Sequence, residues 1–306
     1  MKFHSRVYLI IVLVLSVLIT SCIKLNAEPA NTDMVHVIII GLDGWDASSF
    51  DKADMPFLKS ILPKCAWTMH KRSILPSSSA CNWATMFKGA SPEAHGYIDW
   101  DTRKPAFTVT EVNNKGFFPS LFSVYRRQYP ESEMGYLYQW EGMRYLFDMD
   151  DFNFVYQFAD TEAGSDQMKA AAINYLLSKK PSLATFIWDY PDKIGHSEGW
   201  DSIAYLDELN HLDSIIEEIV LACIKADIYD NTLFVIVSDH GGHEKTHGQP
   251  LISDLEAPFI IFGSGINPGE INEPLMQYDV TAILADYLRL AEPSSWRGKA
   301  PFGIFK

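Results

Sequence analysis

Four stretches of this 306-residue chain are runs of apolar, β-forming residues that end abruptly at polar or glycine-rich exits. They are HVIIIGLDG (36–44), LATFIWDYPD (183–192), NTLFVIVSDHGG (231–242) and APFIIFGSG (257–265). A strand with one face in water alternates apolar and polar residues, whereas a continuous run belongs to a strand covered on both faces. Between these runs lie segments with helical spacing, at 55–62, 82–89 (stopped by Gly89), 118–128, 161–180, 202–226 and 279–290. MGYLYQW (134–140) reads as one further strand. Strands alternating with helices predict an α/β domain with a mostly parallel central sheet sandwiched between helices. In such sheets ligands gather at the carboxyl ends of the strands.

Those ends carry the chemistry. Asp43 follows the first run. Asp189, Asp192 and His196 follow the second, and one helical turn would aim Asp192 and His196 the same way. Asp239 and His240 leave the third run within SDHGGHEKTHG (238–248), which packs three histidines, an aspartate and a glutamate into eleven positions. A His-rich surface loop would account for that stretch alone. Carboxylates and imidazoles at three strand ends instead suit zinc or a similar divalent ion. A fourth element, LPSSSACNWATMFKG (75–89), sets serines before a helix. They could serve as N-caps. They could equally present a hydroxyl beside free backbone N–H groups and a positive dipole end, a setting suited to phosphate.

In order along the chain, GLDG, PSSSACN, GASPEAHG, PDKIGH, SDHGG and THG resemble the motifs of the alkaline phosphatase superfamily, in its nucleotide pyrophosphatase/phosphodiesterase-like (type I phosphodiesterase) branch. The resemblance runs from about residue 36 to about residue 290. It implies an alkaline phosphatase-like fold and a phosphoester hydrolase working through a phosphoseryl intermediate. It implies two divalent ions, zinc in the family, that clamp the attacking and leaving oxygens. It places the nucleophile at Ser79, with Ser77 and Ser78 as the nearby alternatives. It assigns Asp43, Asp239 and His240, with the Ser79 hydroxyl, to one metal, and Asp192, His196 and His247 to the other. His243 matches no ligand role and reads as a supporting or surface residue. His95 and Glu93 read as structural, and His70 and His211 as solvated. The glycines at 241, 242 and 248 are expected to let one short loop serve both ions.

Some positions depart from the family pattern. Trp100 stands where an asparagine commonly supports a phosphate oxygen, and its indole N–H is a candidate donor. The large insertions of nucleotide-specific members are missing, and only residues 98–160 leave room for a small cap. A sulfatase would need a cysteine in a C-x-P-x-R setting, and Cys81 is followed by Asn82, Trp83, Ala84 and Thr85. A phosphomonoesterase needs an extra cation, for which Lys193 is the candidate. A metal-dependent phosphosugar mutase and a catalytically silent metal-binding lipoprotein are the remaining readings.

A formal net charge of −14 argues against a nucleic-acid polymer as partner. The expected substrate is a small phosphoester, and metal ions would bring the positive charge that an acidic protein lacks. Lys2 and Arg6 precede a 13-residue apolar run and then Ile19-Thr20-Ser21-Cys22, which resembles a bacterial lipobox. The run is short for a spanning helix and has the order of a signal peptide. The expected organisation is a lipoprotein signal peptide at 1–22, a tether at 23–35 and a catalytic domain at 36–306. The expected location is the bacterial cell envelope, with the protein exported and held at a membrane by lipid on Cys22. Cys65, Cys81 and Cys223 remain, too few for a disulfide framework. A Cys65–Cys81 bridge is left open by the sequence.

Overall fold

The computed structural model describes residues 35–306. The leader, Cys22 and all but the last residue of the tether lie outside the described residues. Eight strands form one sheet: β1 (His36–Leu42), β2 (Ala66–Arg72), β3 (Met134–Tyr138), β4 (Phe154–Gln157), β5 (Leu183–Trp188), β6 (Thr232–Val237), β7 (Glu256–Gly263) and β8 (Gly269–Glu270). Their order is β4-β3-β5-β1-β6-β7-β2-β8. Only β7 runs against its neighbours, so the sheet is mostly parallel, as the continuous apolar runs predict.

The central strands β1, β5 and β6 are buried throughout. Their side chains alternate between two cores. Val37 and Ile39 of β1 face the helices α1 (Ser79–Lys88), α2 (Leu121–Gln128) and a later C-terminal helix, with Trp83, Phe87, Phe122 and Leu284. Ile38, Ile40 and Leu42 face α3 (Glu162–Lys179) and a long helix after β5, with Met168, Leu176, Leu212 and Ile216. Each fully buried aliphatic side chain contributes roughly 1.5–3 kcal/mol, and in the middle of β5 one small polar residue, Thr185, is buried among them. The remaining long helices are α4 (Tyr190–Glu198), α5 (Ile203–Lys225) and α6 (Asp279–Leu288). Among the described residues, no helix is long and apolar enough to cross a membrane.

Local signals set the helix ends. Thr161 caps α3 by accepting from Gly164 N at 3.1 Å. Gly89 stops α1 in the left-handed region, at φ 57°. At Gly41 an added Cβ would lie 2.5 Å from both Trp83 and Ile187, so the missing side chain lets α1 approach the sheet.

Several elements differ from expectation. Helix α1 begins at Ser79, not Asn82, because Ser78 is extended and Ser79 is the first helical residue. The helical turn expected to carry Asp192 and His196 is the nine-residue helix α4, with Pro191 in its first turn. Strands β2, β4 and β8 carry no continuous apolar run. β2 includes the buried polar residues Thr68 and Lys71, which hide its pattern, while β4 and β8 are short edge strands. Of residues 98–160, the part from 121 onward supplies α2, β3 and β4 to the central layers, whereas 98–120 contains no helix or strand. Cys65, Cys81 and Cys223 are buried and free, so the open Cys65–Cys81 bridge is not formed.

His211 is partly exposed, at 25% of its side chain, and is also held by two carboxylates. Its ring lies between two helices, with Nδ1 3.5 Å from Glu208 and Nε2 3.4 Å from Asp166, and those carboxylates hold it above the ordinary histidine pKa. His70 does reach solvent and pairs with Glu256 at 3.2 Å.

Candidate active site

Sheet register brings the strand exits together. Leu42 pairs with Trp188, and Gly41 pairs with Val237, so Asp43, Asp189 and Ser238–His240 leave the same edge side by side. Backbone and side-chain bonds lock these exits. Asp43 N donates to Trp188 O at 2.8 Å, Gly44 N to Asp239 Oδ1 at 3.2 Å and Trp45 N to Ser238 Oγ at 2.9 Å.

The inner group comprises Asp43, Asp239, His240 and Ser79. Ser79 Oγ lies 3.4 Å from Asp43 Oδ1 and 3.3 Å from His240 Nε2. His240 Nε2 is in turn 3.5 Å from Asp43 and 3.3 Å from Asp239 Oδ2. Asp43, Asp239 and His240 have no solvent exposure. The outer group comprises Asp192, His196 and His247. His196 Nε2 lies 3.4 Å from Asp192 Oδ2, and His247 Nε2 lies 3.6 Å from Asp192 Oδ1. The imidazoles of His240 and His247 stack with centroids 3.9 Å apart, which joins the two groups. Potential ligand atoms of Asp192, His196 and His247 all fall within 4.8 Å of one another, and so do those of Asp43, Asp192 and His240. Asp192, assigned from sequence to the second set alone, therefore reaches both.

All three histidines are oriented in the same way. Nδ1 of His240 donates to Gly241 O at 2.8 Å, that of His247 to Ser77 O at 2.8 Å and that of His196 to Lys245 O at 3.0 Å. A carbonyl can only accept, so the proton sits on Nδ1 and the Nε2 lone pair faces the cluster. Burial drives His240 well below the ordinary imidazole range, and it lowers His247 to about 4. The carboxylates move the other way. Burial, and then the charges of Asp239 and Asp192, hold Asp43 well above the usual carboxylate range. Burial lifts Asp239 to about 7 and also raises Asp192 and Asp189.

Neutral imidazole lone pairs facing crowded buried carboxylates form a donor set for divalent cations. The buried oxygens Asp192 Oδ1 and Asp239 Oδ2 have no hydrogen-bond partner, which is how ligands to a cation are left by protein atoms alone. The residues present therefore fit the metal ions that the motifs imply.

Other expected roles divide. His243 pairs with the buried Asp254 at 2.6 Å and stands outside both groups. His95 is buried, with Nε2 3.0 Å from Thr85 Oγ1 and Nδ1 accepting from Tyr97 N at 3.1 Å, so it braces the turn after α1. Trp100 meets α1 through its carbonyl, which accepts from Ala80 N at 3.1 Å, while the residue is 58% exposed. Lys193 is tied to Asp160, 2.6 Å from its carbonyl and 3.2 Å from its carboxylate. The glycines of the 238–248 loop serve separate ends. A Cβ at Gly241 would lie 2.0 Å from Ser253 O and one at Gly242 2.2 Å from Trp200, while Gly248 has φ +98° and open space.

Sequence reasoning gave no role to three residues at the site and left a fourth, Asp189, among the strand-end acids without assigning it to a metal. Trp83 Nε1 donates to Asp43 Oδ2 at 2.7 Å. Asp189 sits beside Asp43. Lys71, fully buried, donates to Ser238 O at 2.8 Å and to Gln277 Oε1, and Gln277 Nε2 donates to Asp239 O at 3.0 Å. Lys71 and Gln277 carry no sequence signal, because they reach the site from a strand and a loop far away in the chain.

Comparison with known proteins places the family and the fold. The family model described as type I phosphodiesterase / nucleotide pyrophosphatase matches residues 37–250. The bis(5'-adenosyl)-triphosphatase enpp4 of Xenopus laevis is 20% identical over 239 residues, covering 75% of this chain and 52% of its own length. The chain thus spans about half the length of the curated relatives it matches. In fold it is similar to murine ectonucleotide pyrophosphatase/phosphodiesterase 5, with a TM-score of 0.70 at 14% identity, covering 87% of this chain and 98% of that one. It is also similar to a 2-O GAG sulfatase, with a TM-score of 0.68 at 12% identity over 87% and 73% of the two chains.

Proposed function

Because the chain belongs to the type I phosphodiesterase / nucleotide pyrophosphatase family, we propose that it is a metal-dependent hydrolase of small phosphodiesters or pyrophosphates, with Ser79 as nucleophile. The observation that carries this reading is the convergence of three Nε2 lone pairs and three buried or half-buried carboxylates in front of one helix-terminal hydroxyl.

Asp43, Asp239 and His240 would hold one divalent ion beside Ser79, and Asp192, His196 and His247 the other, both zinc by analogy with the family. When bound, the ions supply the positive charge that makes a serine alkoxide and a departing oxyanion accessible at neutral pH. The chain's own residues do the rest. Ser79 Oγ forms a bond to phosphorus as the bond to the leaving ester oxygen breaks. Water then attacks the phosphoseryl group, and the serine hydroxyl is regenerated. Ser79 is the first residue of α1, so the positive end of the helix faces the phosphate. Trp83 fixes Asp43, and the Nδ1–H bonds fix all three imidazoles.

Diesters are favoured over monoesters by the local charge. A monoester presents a second negative charge, and Lys193, the candidate cation, is held by Asp160. Asp189 adds to the acidity around Asp43. The test is metal analysis together with turnover of bis-p-nitrophenyl phosphate, p-nitrophenyl phosphate and p-nitrophenyl sulfate. Two bound metals and a preference for the diester are expected. Absence of metal would remove the mechanism, and faster monoester or sulfate turnover would replace the substrate class.

Export with lipid on Cys22 is proposed from the basic start, the apolar run and the Ile19-Thr20-Ser21-Cys22 sequence. Radiolabelled palmitate should enter the wild-type protein and not Cys22→Ser. Equal labelling of both would end the proposal.

A further inference from the structure

One residue that touches three of the ligand-bearing segments of the site is not itself a ligand. Trp200 lies between α4 and α5 and is 2% exposed. Its indole Nε1 donates to Gly44 O at 2.8 Å, and Gly44 N donates to Asp239 Oδ1 at 3.2 Å. Its backbone N donates to Glu244 O at 2.9 Å, which ties it to the 238–248 loop. Its ring stands edge-on to His196, with centroids 5.2 Å apart at 83°, and to His247, 5.9 Å apart at 68°. Two glycines make room for it. A Cβ at Gly195 would lie 2.7 Å from the indole, and one at Gly242 would lie 2.2 Å away. Gly44 is equally crowded on its other side, where a Cβ would lie 2.8 Å from Asp192 Oδ1. Three segments distant in sequence, the β1 exit, helix α4 and the 238–248 loop, are thus packed on one rigid ring.

We propose that Trp200 is a positioning residue that orients His196 and His247 as ligands and sets the spacing between the outer and inner groups. The inference rests on the two-metal reading above. The inner group has its own supports in Trp83, Lys71 and Gln277. Apart from their contacts with one another, with Asp192 and with the His240 ring, the outer histidines are held by single bonds to carbonyls in exposed or loop segments. Loss of the ring therefore acts selectively. Partners that orient metal ligands typically account for roughly 10–100-fold in affinity.

The test is an equilibrium zinc titration against a chromophoric chelator on purified wild type, Trp200→Phe and Trp200→Ala, beside the melting temperature of each metal-free protein. Trp200→Ala should keep one tight site and weaken the other roughly 10–100-fold. Trp200→Phe, which keeps a ring but loses the N–H, should fall between, with its metal-free melting temperature close to wild type. Gly242→Ala, which displaces the indole without removing it, should show the same selective weakening and covers the case in which Trp200→Ala does not fold. Unchanged second-site affinity in these variants overturns the inference, and so does equal loss at both sites together with a lowered metal-free melt. A wild type that binds no zinc would overturn the two-metal reading itself. A wild type that binds two, with variants that do the same, would overturn only the role of Trp200.

Discussion

The inner and outer ligand groups use similar residues in different surroundings. Asp43, Asp239 and His240 have no solvent exposure and stand on the exits of adjacent central strands. In the outer group the side chains of Asp192, His196 and His247 are 14%, 43% and 9% exposed, and they stand on a nine-residue helix and a loop. Burying carboxylates without a compensating charge is costly, and the protein answers by holding protons on them. The inner group carries two such carboxylates, Asp43 and Asp239, and the outer group one, Asp192, so a cation relieves more burial cost in the inner group. On the proposed function, the outer group, closer to water, would be the one to meet an incoming phosphate, while the inner group would stand beside Ser79 on the sheet edge.

The largest expected effect isolates the nucleophile from both groups. Ser79→Ala should lower hydrolysis of bis-p-nitrophenyl phosphate by at least about 10³-fold while metal content is retained. Near-wild-type turnover would show that Ser77 or Ser78 attacks instead. Removing a ligand separates the groups. His240→Ala and His247→Ala should each cost one of two zinc ions, by more than the roughly 100-fold that loss of a supporting partner costs. The inner variant should also lower the metal-loaded melting temperature further, because it leaves buried carboxylates unpaired. Identical melts for the two variants would erase the distinction between the groups.

Trp83→Phe keeps the packing against Gly41 but removes the donor to Asp43. A loss of about 1.5–3 kcal/mol from the metal-loaded protein is expected by chemical denaturation. A loss near zero would show that Asp43 is oriented by the metal alone.

Acid–base behaviour sharpens the same contrast. Burial raises Asp239 from 3.8 to about 7 in the metal-free fold, so its contribution to stability is complete below pH 3.8 and is lost as pH rises through about 7. Asp43 and Asp192 are shifted in the same direction. His247, lowered by burial from 6.5 to about 4, contributes fully above pH 6.5 and loses that contribution as pH falls through about 4. The two effects oppose each other below pH 6.5. Above it the raised carboxylates Asp43, Asp189, Asp192 and Asp239 lose stability. They outnumber the buried Lys71 and Lys88, which burial lowers to about 7 and which gain stability as pH rises. Metal-free protein should therefore melt at lower temperature as pH rises from about 6.5 to about 8, and zinc-loaded protein should not. A flat profile for the metal-free protein would mean that the inner acids do not bear the burial penalty described.

The smallest effect is expected outside both groups. Lys193→Ala breaks a half-exposed pair with Asp160 and should change diester turnover by under about 1 kcal/mol in activation free energy. A larger loss, confined to monoesters, would return Lys193 to a substrate-binding role.

Much of this molecule was legible in its residues. Continuous apolar runs gave β1, β5, β6 and β7, and Gly89 and Thr161 marked helix ends where the structure has them. The six predicted metal ligands and Ser79 do come together at one sheet edge. The less legible elements share a cause. β2 hides behind Thr68 and Lys71, whose burial depends on Ser238 and Gln277, residues more than 160 positions away in the chain. His211 reads as a surface histidine because its acidic partner Asp166 lies on another helix.

Residue type and spacing determined that carboxylates and imidazoles would stand at the ends of buried strands, since strand burial is a local property, and the resemblance of the motifs put a helix-start serine beside them. Tertiary structure alone decided which nitrogen of each histidine faces the cluster and that Asp192 lies between the two groups. It also decided that Lys193 is spent on Asp160 and that Trp200 ties three distant segments together. Hydrogen bonds and ring contacts of that kind depend on partners that meet only when the sheet closes, so no window of sequence contains them.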